Sequence, residues 1–200
     1  MDRTFLVGPS LILAACIALI TTGCHARTGN TYRVIIDPNF SAENQELARS
    51  AVATWRSALG DELNIWSVEV GECHASGSPG RELCIHASTG AWLTSQFSYN
   101  VPGVHDYALT WRDVDNDSAD TYVAVDLISG QSLQRSVTHE LGHAMGLQHT
   151  QPGTLMFWFM NADEALVPTC VDKLQWHQLR GMNTTDDSSC PATTQVTYFH

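Results

Sequence analysis

The sequence contains few basic residues and few charged residues of any kind. Of its 200 residues, 10 are Lys or Arg and 21 are Asp or Glu, which gives a formal net charge of −11 at pH 7. Lys173 is the only lysine. Nucleic-acid phosphates are bound through Lys and Arg, so this balance argues against a nucleic-acid-binding protein. Hydrophobic residues reach 44% of the chain, which argues against disorder.

The sequence also lacks internal repeats, low-complexity segments and any C-x-x-C pair. Its early apolar run, residues 11–20, is too short for a comfortable transmembrane helix. That run follows Arg3 and precedes small residues, which is the arrangement of a secretory signal peptide. We therefore expect residues 1–24 to be a signal peptide and the protein to be exported.

Cys24 ends the run of small residues, and this ending resembles a bacterial lipoprotein signal. The resemblance implies that Cys24 is lipidated and becomes the mature N-terminus. A single lipid anchor would hold the protein to a membrane without spanning it, and this would be its only membrane contact. The expected location is the cell envelope, at the outer membrane or the periplasmic face. Secretion without a lipid and a retained membrane anchor are the alternatives.

Four cysteines remain after the signal peptide, namely Cys73, Cys84, Cys170 and Cys190. An even number in an exported domain predicts two disulfides, and local pairing of Cys73 with Cys84 and of Cys170 with Cys190 is the simplest of three connectivities. Metal binding by these cysteines is the alternative. We expect a single domain at residues 25–181 and a tail at residues 182–200, tethered by the second disulfide.

The remaining pattern predicts an α+β fold. Apolar, β-branched or alternating segments predict strands at residues 32–36, 65–70, 83–87, 107–111 and 121–128. Helical periodicity and capping residues predict helices at residues 41–59, 131–147 and 172–179. Residues 91–103 fit neither pattern, and residues 113–120 read as an acidic loop.

One segment, His139 to His149, has the spacing of a metal site. His139 and His143 are four residues apart, so on a helix they face the same side and can bind one zinc ion. Gly146 can end the helix in a left-handed conformation and return His149 as a third ligand. Three histidines leave the fourth zinc position open to water, as a catalytic site requires. Solvated helix histidines and an inert structural zinc site are the alternatives.

This segment resembles the signature of the metzincins, H-E-x-x-H-x-x-G-x-x-H followed by a buried Met. Metzincins are zinc endopeptidases, and Thr150 and the segment from Asp172 to Gly181 are most similar to the matrixins among them. The resemblance implies that Met156 is the Met of the Met-turn and lies beneath the zinc without binding it. The implied fold is a twisted mixed β-sheet with two long helices, a Met-turn and a short C-terminal helix. We expect a monomer.

The sequence departs from the metzincins at several points. Phe157, Trp158 and Phe159 stand where some members have a zinc-binding Tyr. No Cys-switch prosegment fits between Cys24 and Tyr32, and the Pro-x-Tyr wall segment of matrixins is absent after Met156. These departures concern the latency mechanism and the wall of the specificity pocket.

The expected activity is hydrolysis of peptide bonds by a zinc endopeptidase. Zinc lowers the pKa of its bound water, and Glu140 is the expected catalytic general base. The expected substrate is an extended polypeptide. The candidate substrate-binding residues are Tyr107, Ala108, Leu109, Trp111, Phe157 and Trp158, with core packing as the alternative for the last two. A catalytically weak zinc protein for cell-surface binding or adhesion is the alternative function.

The acidic loop is a candidate calcium site. Its alternating carboxylates, Asp113, Asp115, Asp117 and Asp120, suit a hard cation. The loop lacks the Gly and the Glu of an EF-hand. A solvated acidic loop is the alternative.

Overall fold

The computed structural model describes residues 31–73, 81–96, 107–157, 165–182, 190–191 and 195–198. The predicted signal peptide with Cys24, and Trp158, lie outside these residues. The strands are β1 (Thr31–Ile36), β2 (Asn64–Val70), β3 (Glu82–Ser88), β4 (Ala108–Asp113) and β5 (Ser118–Ala124). The helices are α1 (Ala42–Leu59), α2 (Gly90–Gln96), α3 (Gly130–Ala144) and α4 (Cys170–Arg180), and a 3₁₀ turn at Gly60–Glu62 follows α1.

The five strands form one mixed sheet in the order β2-β1-β3-β5-β4. Neighbouring strands are parallel except at one edge, where β4 pairs antiparallel with β5. The α+β prediction is therefore confirmed at the level of a mixed sheet with four helices in the described chain. The antiparallel strand β4 ends the sheet, and its outer side has no strand partner among the described residues.

Helices α1 and α3 pack against each other and share one core with the sheet. In α1, Ser41 caps the first turn by accepting a hydrogen bond from the Asn44 backbone N–H at 3.2 Å, as the sequence predicts. Trp55 in the same helix is fully buried, and its indole N–H donates to the Thr138 carbonyl of α3 at 2.7 Å. The buried ring and its hydrogen bond together fix the position of α1 relative to α3.

The strand bounds differ from the prediction where the acidic loop was expected. Strands β4 and β5 continue to Asp113 and from Ser118, so only the four-residue turn 114–117 separates them. The predicted strand at residues 121–128 is therefore displaced towards the N-terminus, and residues 125–127 form a turn. Antiparallel pairing explains the change, since each added pair of residues completes further backbone hydrogen bonds.

Helix α2 lies in the segment that fits no sequence pattern. Thr89 precedes it, and its hydroxyl accepts a hydrogen bond from the Trp92 N–H at 3.2 Å. This cap was readable in the sequence, but seven residues are too few to show a helical period.

Helix α3 ends at Ala144, three residues before the predicted end at Leu147. Gly146 has φ +100°, a backbone conformation that favours glycine, and this turns the chain away from the helix axis. A Cβ at this position would also lie 3.2 Å from a guanidinium nitrogen of Arg112 on β4. The backbone angle favours glycine here, and any larger residue would also have to displace the Arg112 guanidinium slightly.

Both predicted disulfides are confirmed. Cys73 and Cys84 join the segment after β2 to β3, with Cα atoms 5.9 Å apart. Cys170 at the start of α4 pairs with Cys190 in the tail, with Cα atoms 5.4 Å apart. None of the helices in the described ranges is long and apolar enough to cross a membrane.

We predict that each disulfide stabilises the folded protein by closing a loop. Replacing Cys170 and Cys190 together by Ser should lower the free energy of unfolding by about 2–4 kcal/mol, since the unfolded chain regains the entropy of that loop. Urea unfolding under non-reducing conditions measures this. Adding a reductant to the wild type should lower the stability further, since it opens both disulfides. A double variant with wild-type stability would contradict the prediction.

Candidate metal centre

The described structure brings His139, His143 and His149 together at one point. The Nε2 atom of His143 lies 3.1 Å from Nε2 of His139 and 3.1 Å from Nε2 of His149. His139 and His143 are one turn apart on α3, and the turn at Gly146 returns the third ring to the same place. The three ligand atoms lie within 4.8 Å of one another, so the group has the geometry to hold a metal ion.

Backbone carbonyls orient two of the rings. Nδ1 of His139 lies 2.7 Å from the carbonyl oxygen of Leu155, and Nδ1 of His143 lies 2.8 Å from that of Leu147. A carbonyl only accepts, so each Nδ1 carries the proton and donates it. In the neutral tautomer that results, Nε2 bears a lone pair on each ring.

Two such lone pairs facing each other at 3.1 Å repel unless a cation lies between them. A tetrahedral zinc ion with Zn–N distances of about 2.0–2.1 Å needs nitrogen atoms about 3.3–3.4 Å apart, close to the spacing found. The donor set, the tautomers and the spacing all fit zinc. The three histidines are therefore the residues that would hold it.

The surroundings also favour the neutral, metal-binding form of each ring. Burial lowers the pKa of His139 well below its usual value, and the charge of a protonated His143 would lower it further. Burial lowers the pKa of His143 as well. Burial, and then the neighbouring His143, lower the pKa of His149 to about 4. At neutral pH the three rings are therefore neutral, and each has one unprotonated nitrogen that can bind a metal.

Glu140 directly follows His139 on α3 and is buried. Its carboxylate oxygen Oε2 accepts a hydrogen bond of 2.7 Å from the hydroxyl of Thr110 on β4. The Thr110 hydroxyl lies 2.9 Å from that of Thr121 on β5. A titratable carboxylate beside a metal-binding group, held by hydroxyls from the sheet, is an arrangement suited to proton transfer.

Met156 is fully buried against the centre of α3. Its sulfur lies so close to Gly142 that a Cβ there would clash with it, and the Trp55 ring lies 3.1 Å from the same Cβ position. Gly142 therefore leaves space for the Met156 side chain beneath the turn of helix that carries His139 and His143. The sequence analysis predicts that Met156 lies beneath the metal site, but it does not explain why residue 142 is a glycine.

Asp172 on α4 connects this Met-containing turn to the last helix. Its carboxylate is fully buried and accepts hydrogen bonds from the backbone N–H groups of Leu155 and Met156, both at 3.1 Å. It also accepts from the N–H and the hydroxyl of Thr169, both at 2.7 Å. Burial raises the pKa of Asp172, and these four hydrogen bonds oppose that rise. The spacing Thr169-x-x-Asp172 is a capping box that the sequence analysis overlooked.

The candidate substrate-binding residues are only partly brought together. Ala108, Leu109 and Trp111 lie on the edge strand β4, which Tyr107 precedes. Trp111 packs edge-on against Tyr122 and Trp92, whereas its strand neighbour Thr110 contacts Glu140. Since side chains alternate along a strand, Trp111 points away from the histidines.

Phe157 directly follows Met156 and is half-buried. The structure thus places it beside the Met-containing turn.

Three of the four carboxylates of the candidate calcium site have other partners, namely those of Asp113, Asp117 and Asp120. Asp113 accepts hydrogen bonds from the backbone of Asp115 and from Asn116, and these bonds lower its pKa. Asp117 pairs with Arg112 at 2.6 Å and with Arg81 at 3.2 Å.

Asp120, the fourth candidate, lies 2.8 Å from His86. In the described residues these acids do not form one of the metal-capable groups. Calcium binding at this turn stays a prediction.

A second group with metal-ligand spacing consists of Cys73, Cys84 and His86. Its two sulfur atoms form the first disulfide, and the His86 ring contacts Asp120. In the disulfide form the group therefore offers no thiolate ligand.

We predict that Asp172→Asn destabilises the protein and weakens zinc binding. The amide offers one acceptor oxygen in place of two, so at least one buried N–H loses its partner at a cost of about 1–3 kcal/mol. Urea unfolding and a zinc titration measure the two effects. Asp61→Asn, at an exposed position, is the control and should change neither quantity. Equal behaviour of the two variants would contradict the role of Asp172.

We also predict that the metal-free protein loses stability on acidification. The pKa of His149 falls from 6.5 to about 4 on folding, so the unfolded chain takes up its proton first as the pH drops. The stability is present above about pH 6.5 and is lost between there and about pH 4. Unfolding measured at pH 7.5, 6 and 5 should show this fall, and His149→Gln should show a smaller one. An equal fall in both proteins would refute the explanation.

The family model of the matrixins matches residues 88–179. The matched region runs from the end of β3 into α4 and contains the three histidines, Glu140, Met156 and the Asp172 capping box. No curated protein matches the chain. Over residues 88–179 the chain is therefore similar to the matrixins, and this likeness supports a metallopeptidase at the level of the family.

Proposed function

We propose that the protein is a zinc-dependent endopeptidase of the matrixin type that hydrolyses peptide bonds with Glu140 as its general base. The observation that carries this proposal is the convergence of the Nε2 atoms of His139, His143 and His149, together with the buried carboxylate of Glu140 on the helix that carries the first two. A structural zinc site would normally have a fourth protein ligand. Among the described residues the group contains three.

When bound, zinc supplies Lewis acidity that activates water and polarises a substrate carbonyl. The protein supplies the remaining functions. His139, His143 and His149 hold the ion, and the carbonyls of Leu155 and Leu147 orient two of their rings. Glu140 accepts a proton from the attacking water and then donates it to the leaving amine. The Thr110 hydroxyl holds one oxygen of the Glu140 carboxylate at 2.7 Å.

We propose that an extended polypeptide binds along the outer edge of β4. This strand ends the sheet, so its outward backbone N–H and C=O groups can pair with a further strand. The hydrogen bond from Thr110 on this strand to Glu140 supports the proposal, because it joins the edge strand to the proposed general base. Binding there would bring a substrate backbone next to the histidines.

Two observations support action outside the cytoplasm. Both disulfides form between cysteines that are close in sequence, and disulfides persist in oxidising compartments. The apolar run after Arg3 is consistent with export. We propose an exported enzyme, with lipidation of Cys24 as its anchor.

We predict that the wild type cleaves casein and that Glu140→Gln does not. Loss of general-base catalysis should lower kcat/KM by about 10²–10⁴-fold, while zinc stoichiometry stays at that of the wild type because the histidines are unchanged. Cleavage-site profiling by mass spectrometry and zinc analysis by atomic absorption measure the two quantities. A chelator should abolish wild-type cleavage, and added zinc should restore it.

The matched control is Glu46→Gln, which changes an exposed acid on α1. It should cleave casein like the wild type. Full activity of Glu140→Gln with zinc bound would refute the assignment of the base. Zinc binding without chelator-sensitive cleavage of any protein in a broad panel would favour the alternative, a zinc protein used for cell-surface binding or adhesion.

A further inference from the structure

Two threonines connect the sheet to the carboxylate of Glu140. Thr110 on β4 and Thr121 on β5 are directly paired in the antiparallel register, and their hydroxyl oxygens lie 2.9 Å apart. Thr121 is almost fully buried. The Thr110 hydroxyl lies 2.7 Å from Glu140 Oε2 and 3.2 Å from the Glu140 carbonyl oxygen.

The direction of these hydrogen bonds follows from the groups present. An ionised carboxylate only accepts, so the single proton of Thr110 is donated to Glu140. Thr110 can then accept a hydrogen bond from Thr121. The shorter of the two contacts from Thr110 is the one to the carboxylate, as expected for a bond to a charged acceptor.

The orientation of a glutamate carboxylate is weakly determined by its own geometry. The last side-chain torsion of Glu joins an sp³ to an sp² carbon and has broad minima. A general base must nevertheless place one oxygen within about 2.6–3.2 Å of the heavy atom that bears the proton it removes. A second group is therefore needed to select the productive orientation.

We propose that Thr110 is a positioning residue that holds the Glu140 carboxylate for proton transfer through its hydroxyl. This inference rests on the proposed peptidase function. Thr110 acts through Glu140. It fixes one carboxylate oxygen, and Thr121 fixes the direction of the Thr110 hydroxyl.

The placement of Thr110 gives this contact a second consequence. Its side chain contacts the base, whereas its backbone belongs to the edge strand on which the substrate is proposed to pair. The backbone and the side chain of Thr110 belong to one residue and move together. Thr110 therefore holds the substrate strand in a fixed position relative to Glu140. Loss of the hydroxyl should therefore affect the chemical step more than substrate binding.

The first test compares two variants of Thr110 with the wild type. Thr110→Val removes the hydroxyl while keeping the shape, and Thr110→Ser keeps the hydroxyl. We expect Thr110→Val to lower kcat by about 10- to 100-fold with KM within about twofold of the wild type, the loss expected for one hydrogen bond to a charged group. Thr110→Ser should restore most of kcat.

The matched control is Thr54→Val on α1. Its half-buried hydroxyl donates to the Ser50 carbonyl at 2.9 Å, and its removal should leave kcat unchanged. Wild-type kcat in Thr110→Val, or equally low kcat in the Ser and Val variants, would overturn the proposal. If Thr110→Val does not fold, Thr110→Ala takes its place.

The second test measures the contact without catalysis. A double-mutant cycle of Thr110→Val and Glu140→Met in the metal-free protein gives their coupling in unfolding. We expect the coupling to change the unfolding equilibrium constant by at least about fivefold. Absence of coupling overturns the positioning role, whatever the activity.

The two tests separate failure of this inference from failure of the proposed function. A wild type that cleaves no protein refutes the peptidase and, with it, a positioning role in catalysis, and the cycle then reports only a structural hydrogen bond. A wild type that cleaves, with Thr110→Val equal to it, refutes the role of Thr110 alone.

Discussion

The buried carboxylate of Asp172 determines how the parts of the candidate metal centre meet. It accepts hydrogen bonds from the N–H groups of Leu155 and Met156, and so it attaches α4 to the turn beneath α3. The carbonyl of the same Leu155 orients His139. One acceptor group on the last helix is thereby connected, through one peptide unit, to the ring nitrogen of the first histidine. A buried carboxylate without these donors would be costly, so the turn and the helix depend on each other.

The second histidine is oriented by a different route. Its ring donates to the Leu147 carbonyl, which lies just beyond the glycine that ends α3. The turn at Gly146 therefore has two effects. It places the carbonyl that orients His143, and it brings His149 back to the other two histidines. Packing from below adds a further condition, because the Met156 side chain occupies the space left at Gly142. Carbonyl contacts of this kind select the tautomer that leaves Nε2 able to bind a metal.

The sequence was sufficient where the signal is local. Residues that are close in sequence form the histidine spacing, the cap at Ser41 and the cysteine pairs. Helical periodicity or loop closure limits the contacts that such residues can make. The bounds of β4 and β5 were not predictable in the same way, because cross-strand pairing extends both strands through Asp113 and Ser118. Helix α2 is too short for its periodicity to be recognised.

Thr110 and Thr121 were not predictable as part of the site, and the reason is physical. Each is an ordinary β-former in a strand, and nothing within a few residues of either indicates a catalytic neighbour. Their relation to Glu140 arises only when the antiparallel register pairs them and α3 packs on the same face of the sheet. The positions of the three histidines follow from α3 and its terminal turn, whereas the orientation of the Glu140 carboxylate depends on how α3 meets the sheet. A change in register between β4 and β5 would thus leave the histidine cluster in place and disturb the carboxylate beside it.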